Sequence, residues 1–188
     1  QVENNYVPLH FAFKLTVFLL VALWMLASAP NAHAATITVI QTSDGAVNPS
    51  HCPGPLCTLR DAIAKASNGD TINFAFSGVT IQLTQGQLDI NKNLTITVAV
   101  TCDITIDAHG ASRIFDIAPS KSLTLNGICM NNGFAPLTGD GGGIRVQTGG
   151  ILNLSNVILQ NNQATNAGPR GGAIYNDGTL NINGFAFF

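Results

Sequence analysis

Charge is scarce in this sequence. Asp, Glu, Lys and Arg together make up 10% of its 188 residues, against roughly a quarter in ordinary soluble domains. The formal net charge of −2 is spread without a basic block or an acidic tail, so the electrostatic footprint of a nucleic-acid binder is absent. Beyond residue 34 there is no Glu at all; the acids are nine Asp and the bases seven Lys or Arg. Surface helices built on Glu and Lys are therefore excluded for the body of the chain. Metal-ligand patterns are thin as well. His51 and His109 stand alone, and the four cysteines, Cys52, Cys57, Cys102 and Cys129, lack the tight pairing of a zinc site. No metal and no cofactor is expected.

What is present is apolar residue in quantity. At 46% hydrophobic the chain has enough to bury one core, and disorder is not expected. The first 34 residues stand apart from that core. Lys14 precedes the apolar run Leu15–Leu26, and Ala32-His33-Ala34 follows as a small-x-small site. This reads as a secretory signal peptide over residues 1–34, too short in its apolar part for a membrane span. No span is expected in the mature chain. The leading stretch begins with Gln and is long, so the chain is expected to continue upstream.

Export places the cysteines in an oxidising compartment, where disulfides are favoured. Cys52 and Cys57 flank a Pro/Gly turn, "PGPL", and are expected to bridge. For Cys102 and Cys129 two states stay open, a bridge and two separate buried thiols.

A repeat organises the rest. "LTITV" begins at Leu94, "LTLNGICMNNG" at Leu123, "LNLSNVILQNN" at Leu152 and "LNINGFAFF" at Leu180, with spacings of 29, 29 and 28. Gly-Gly-Gly-Ile ending at Ile144 and Gly-Gly-Ala-Ile ending at Ile174 keep the same phase. Each repeat holds short strands of period 2 separated by Gly and Asn. A unit this short cannot bury its apolar face alone, so copies must stack. The expected fold is all-β, a right-handed parallel β-helix over residues 71–188. A β-sandwich also uses short alternating strands but has no need of a constant period. Over residues 35–70 the pattern predicts a strand and then a short capping α-helix. Thr58 is its N-cap, Asp61 completes a capping box, Leu59, Ala62, Ile63 and Ala66 form the apolar face, and Gly69 is the stop. Its expected task is to cover the open end of the solenoid.

The run Cys57-Thr-Leu-Arg-Asp-Ala-Ile63, with "GDTINFAF" and "ITIDAHGASRIFDI" after it, resembles the "CSLREA" domain of secreted bacterial proteins. Thr58 and Asp61 stand where that pattern has Ser and Glu. The downstream repeats resemble those of polymorphic outer membrane proteins, marked by GGA-[I/L/V] and F-x-x-N tetrapeptides. Gly171-Gly172-Ala173-Ile174 matches the first, and Gly141-Gly142-Gly143-Ile144 matches it with one change. Leu159 to Asn162 matches the second with Leu for Phe. The resemblance spans roughly residues 36 to 188. It implies a right-handed β-helix exposed outside the cell, at the outer-membrane surface or secreted, often in adhesins, and implies no defined reaction. In phase with Leu159, Phe187 places the end of the chain inside an F-x-x-N motif, and "GFAFF" is expected to be followed by further coils.

Parallel β-helices also carry polysaccharide lyases and glycosidases, whose sites need carboxylates on neighbouring coils. At an offset of 29, Asp103, Asp107 and Asp116 meet Asn132, Pro136 and Arg145. No carboxylate is expected over another, and Asp116 with Arg145 reads as an ordinary surface pair. The same offset puts the Cα atoms of Cys102 and Cys129 about 8 Å apart unless a bulge intervenes, beyond the usual disulfide limit. "GDGGG" at residues 139–143 lacks the Lys of a P-loop and the Asp ladder of a calcium repeat, so glycine for tight corners is the reading. The expected function is a non-enzymatic secreted or cell-surface β-helix, adhesin-like or structural, with surface, matrix or glycan partners. The alternative is a carbohydrate-active enzyme with its site in further coils.

Overall fold

The computed structural model describes residues 33–135, 139–165 and 170–184, together with the backbone of residues 186 and 187. The segment up to residue 32, where a signal peptide is expected, Pro136, and the side chains of the terminal phenylalanines lie outside the described residues. Residues Ala34–Phe188 form one compact unit.

That unit is a right-handed parallel β-helix. Its first sheet holds β1 (Thr36–Val39), β2 (Thr71–Phe74), β5 (Leu94–Thr97), β8 (Ser122–Asn126), β12 (Ile151–Ser155) and β16 (Thr179–Ile182). The second holds β3 (Val79–Gln82), β6 (Ile104–Asp107), β9 (Ile128–Asn131), β13 (Val157–Gln160) and β17 (Ala186–Phe187). The third holds β4 (Leu88–Ile90), β7 (Phe115–Ile117), β11 (Ile144–Val146) and β15 (Ile174–Asn176). Two short strands, β10 (Phe134–Ala135) and β14 (Gln163–Ala164), pair beside them. The chain visits the three sheets in turn, and each strand lies parallel to its copy in the coil before.

Alternation drives this arrangement. "LTIT" in β5 and "ITID" in β6 bury every second residue, as a half-buried strand must. Stacking brings like residues into register, giving the columns Ile72, Ile96, Leu125, Leu154 and Ile81, Ile106, Met130, Leu159. Those core residues are almost wholly buried. The predicted phase holds on the first sheet, where Leu94 pairs with Leu123, Leu123 with Leu152 and Leu152 with Leu180. On the outer face Asn181 Nδ2 donates to Asn153 Oδ1 at 2.8 Å, and Asn153 Nδ2 to Thr124 Oγ1 at 3.1 Å.

A constant offset of 29 fails in the earlier coils. Asp107 pairs with Asn131 in the next coil, where Pro136 was expected. The reason is the corner between the first two sheets. From β8 to β9 the chain turns on Gly127 alone, at φ +78°, and from β12 to β13 on Asn156, at φ +53°. In the preceding coils residues 75–78 and 98–103 fill the same corner. At the far end, Phe187 pairs with Ile158, one residue from the expected place opposite Leu159.

The helix α1 (Leu59–Lys65) packs on β1 and β4 and buries Leu59, Ala62 and Ile63 in the common core. Its capping box forms as expected. Thr58 Oγ1 accepts from the Asp61 amide at 3.1 Å, and Asp61 Oδ2 accepts from the Thr58 amide at 3.4 Å. Gly69 does not stop the helix, which ends at Lys65 with Ala66 as its C-cap. Gly69, at φ +89°, makes the turn into β2 instead. The last carbonyls are held by Lys92, whose Nζ donates to the oxygens of Ile63 at 3.2 Å, Ala64 at 2.6 Å and Ala66 at 2.5 Å.

Candidate functional site

Both cysteine pairs are bridged. Cys52–Cys57 closes the Pro/Gly turn, and Cys102–Cys129 joins the enlarged corner at 98–103 to the coil that follows. The Cα atoms of the second pair are 4.8 Å apart, not the 8 Å that a uniform coil implied. Cys102 sits at φ +60° and its amide donates to Gly127 O, which draws it over the one-residue corner beside Cys129. Two disulfides indicate an oxidising environment.

The repeat-motif residues make contacts between coils. Leu159 is fully buried, while Asn162 reaches the previous coil, its Oδ1 accepting from Gly133 N at 2.8 Å and its Nδ2 donating to Met130 O at 3.2 Å. Gly141 and Gly171 both turn at positive φ. A Cβ on Gly142 would collide with the backbone of Gln163, and one on Gly143 would lie 2.7 Å from Ala173 O. Ile144 and Ile174 pair directly in the third sheet. Gly172 and Ala173 complete the turn into β15, where Ala173 O accepts from the Gly143 amide at 3.0 Å. Tight stacking of backbone on backbone explains the glycines of this motif.

The densest chemistry lies on the outer face of the third sheet. Asp89, Asp116, Arg145 and Tyr175 stand in one column through four coils. Asp89 therefore does lie over Asp116, contrary to the expectation that no carboxylate stacks on another. Nor is Asp116 with Arg145 an ordinary surface pair, because Asp116 is only 5% exposed. Its Oδ1 accepts from Arg145 Nε and Gln147 Nε2, both at 3.0 Å, and its Oδ2 from the second Arg145 nitrogen and from Gln87 Nε2 at 3.2 Å. The same Gln87 nitrogen donates to Asp89 Oδ1 at 2.7 Å and so bridges the two carboxylates.

Arg113, 3% exposed, supports the ladder from below. Its Nη1 donates to Gln87 Oε1 at 2.6 Å, its Nε to Gly141 O at 2.8 Å and its Nη2 to Asp140 O at 2.8 Å. Asp140 in turn pairs with Arg170 at 2.7 Å, and Arg170 lies over the Tyr175 ring at 4.6 Å. Three carboxylates, Asp89, Asp116 and Asp140, thus face three guanidinium groups.

Burial alone would raise the pKa of Asp116, but the hydrogen bonds from Arg145 and Gln147 and the charges of Arg145 and Arg113 outweigh it and hold the carboxyl below its ordinary 3.8. Burial lowers the pKa of Arg113, against the pull of the nearby aspartates. The bond to Asp116 raises that of Arg145. A general acid needs a carboxyl whose pKa lies near the working pH; Asp116 is driven the other way and its lone pairs are taken. Among the described residues no group of three His, Cys, Asp or Glu gathers that is able to hold a metal.

A second polar centre fixes the cap. Asp61, 1% exposed, accepts from Asn48 N at 2.6 Å, and His51 Nδ1 lies 2.9 Å from its Oδ2. Burial would raise its pKa, but these bonds and those from Thr58 lower it. Asp44 accepts from Arg60 Nε at 2.7 Å and from the amides of Thr84 and Gln85 at 2.8 and 3.0 Å, tying α1 to the first coil.

Sequence reasoning missed Asp89, Asp44, Arg60 and Lys92 as members of these networks. For Asp89 a signal existed: Leu-Asp-Ile at 88–90 and Phe-Asp-Ile at 115–117 share the pattern apolar-Asp-Ile one coil apart. Compared with known proteins, the chain matches no family model, no curated protein and no solved structure.

Proposed function

We propose that the protein is a non-enzymatic, exported β-helix, adhesin-like or structural, that works outside the cell or at the outer-membrane surface by binding surface, matrix or glycan partners along its flank. The observation that carries this reading is the saturation of Asp116. This carboxylate, next to Asp89 in the third-sheet column, is locked to Arg145, Gln147 and Gln87, so it serves stacking. The paired disulfides and the likeness of Cys57–Ile63 and the Gly-Gly-x-Ile turns to exported β-helix families support the same reading. Among the described residues no helix is long and apolar enough to cross a membrane.

One observation favours a second reading, a carbohydrate-active enzyme: the exposed Asp89 sits next to Asp116 on neighbouring coils. A glycan and matrix-protein array that includes uronic-acid polymers, followed for cleavage as well as binding, separates the two. Binding without turnover is the expected result. Cleavage abolished by Asp89→Asn would replace the proposal with the enzymatic reading.

A further inference from the structure

The corner between the first and second sheets needs one residue, as Gly127 and Asn156 show. The two coils before them spend residues 75–78 and 98–103 there. In a solenoid such extra length is not required by the coil and maps to one face, commonly the binding face. Between these two enlarged corners lies a cleft of about 510 Å³, within the size range of small-ligand sites.

Two half-buried phenylalanines, Phe74 and Phe76, line it, their ring centroids 5.7 Å apart and their planes at 62°. Around them stand Ser77, Thr97, Asp103 and Asn73. Asp103 Oδ1 accepts from Gly78 N at 2.8 Å, and its other oxygen takes no hydrogen bond from the described residues. The side-chain amide of Asn73 makes no hydrogen bond to them either, with its Oδ1 sealed in the wall. Turning that amide outward would break no bond in the protein.

Apolar ring faces beside unsatisfied acceptors suit a ligand with a C–H face and a rim of hydroxyl donors. The lining carries one carboxylate and no cation, so it repels acidic ligands. The loop is held in place by Cys102–Cys129, and a preorganised loop loses less freedom on binding.

We infer that this cleft is a binding site for neutral saccharides, selecting hexose-type units against uronate or sulfated sugars. The inference rests on the reading of the protein as a glycan-binding β-helix and names where and what it binds.

The test measures binding of the purified protein to neutral, uronate and sulfated oligosaccharides and to matrix proteins. It compares Phe76→Ala, Asp103→Asn and Ala99→Trp with the distant control Thr179→Ala. Ala99 is exposed on the cleft rim, so a tryptophan there blocks the cleft without entering the core. The expected result is preference for neutral saccharides, lost by about tenfold or more in Phe76→Ala and Ala99→Trp, weakened in Asp103→Asn and unchanged in the control. Neutral-saccharide binding that survives Ala99→Trp places the site elsewhere and overturns the inference, while the wider reading stands. Binding confined to acidic glycans or matrix proteins does the same. Absence of binding to every ligand class overturns both.

Discussion

Asp116 shows how a single residue departs from its surface expectation. The outward side of a strand is normally wet, yet here side chains from the coils on either side close over the carboxylate. Replacing Asp116 with Asn removes the carboxylate bonded to Arg145 and the nearest counter-charge of the buried Arg113, and is expected to cost about 3 kcal/mol at pH 7, measured by urea unfolding. Its folded pKa is depressed, so the wild-type contribution is complete above the ordinary 3.8 and is lost as pH falls through the folded value. The stability gap between wild type and Asp116→Asn should therefore close in that acid window and stay constant above it. Gly142 gives a second test. A Cβ there meets the Gln163 backbone, whereas one at Gly45 meets nothing within 4 Å. Gly142→Ala is expected to destabilise by about 1–3 kcal/mol and Gly45→Ala to leave the unfolding midpoint within error or slightly raised.

At the scale of elements, the capping helix is too short to persist alone and is held by charge at both ends. Asp61 orders its start; Lys92, from the second coil, satisfies its last carbonyls. Lys92→Met is expected to cost about 1–2 kcal/mol and to speed hydrogen exchange of the Ala62 and Ala66 amides well before global unfolding; unchanged exchange at those amides would refute the capping role. The N-terminal half of this device was legible, because Thr58 and Asp61 stand at capping-box spacing ahead of an apolar face. The C-terminal half was not. Lys92 is 26 residues from Ala66, and nothing local distinguishes it from a solvated lysine; only closure of a coil brings it there. The same holds for Asp44 and Arg60.

For the whole molecule, the constant period announced the solenoid because stacked coils must repeat their core residues in phase. Leu94, Leu123, Leu152 and Leu180 do so. The first coils broke the period, and with it the 8 Å spacing that a uniform coil gave Cys102 and Cys129, because their corners are larger than the one-residue turns that follow. The two disulfides should differ in weight: Cys102–Cys129 closes a separation of 27 residues and Cys52–Cys57 one of 5. In the loop-entropy view removing the first costs about 3–4 kcal/mol and the second about 2. Paired Cys→Ala variants compared by denaturant midpoint check the order; equal losses would contradict it.

The strand period, the stacking of like residues and the helix start could be read directly from the amino-acid order, since each follows from residue types at short or regular spacing. The corner lengths in the early coils, the bridge between Cys102 and Cys129, and the meeting of Asp89 with Asp116 and of Asp116 with its arginines and glutamines became visible once the coils were closed. These contacts depend on how many residues each coil uses to come round, and a change of a few residues in a corner moves every partner on the next coil.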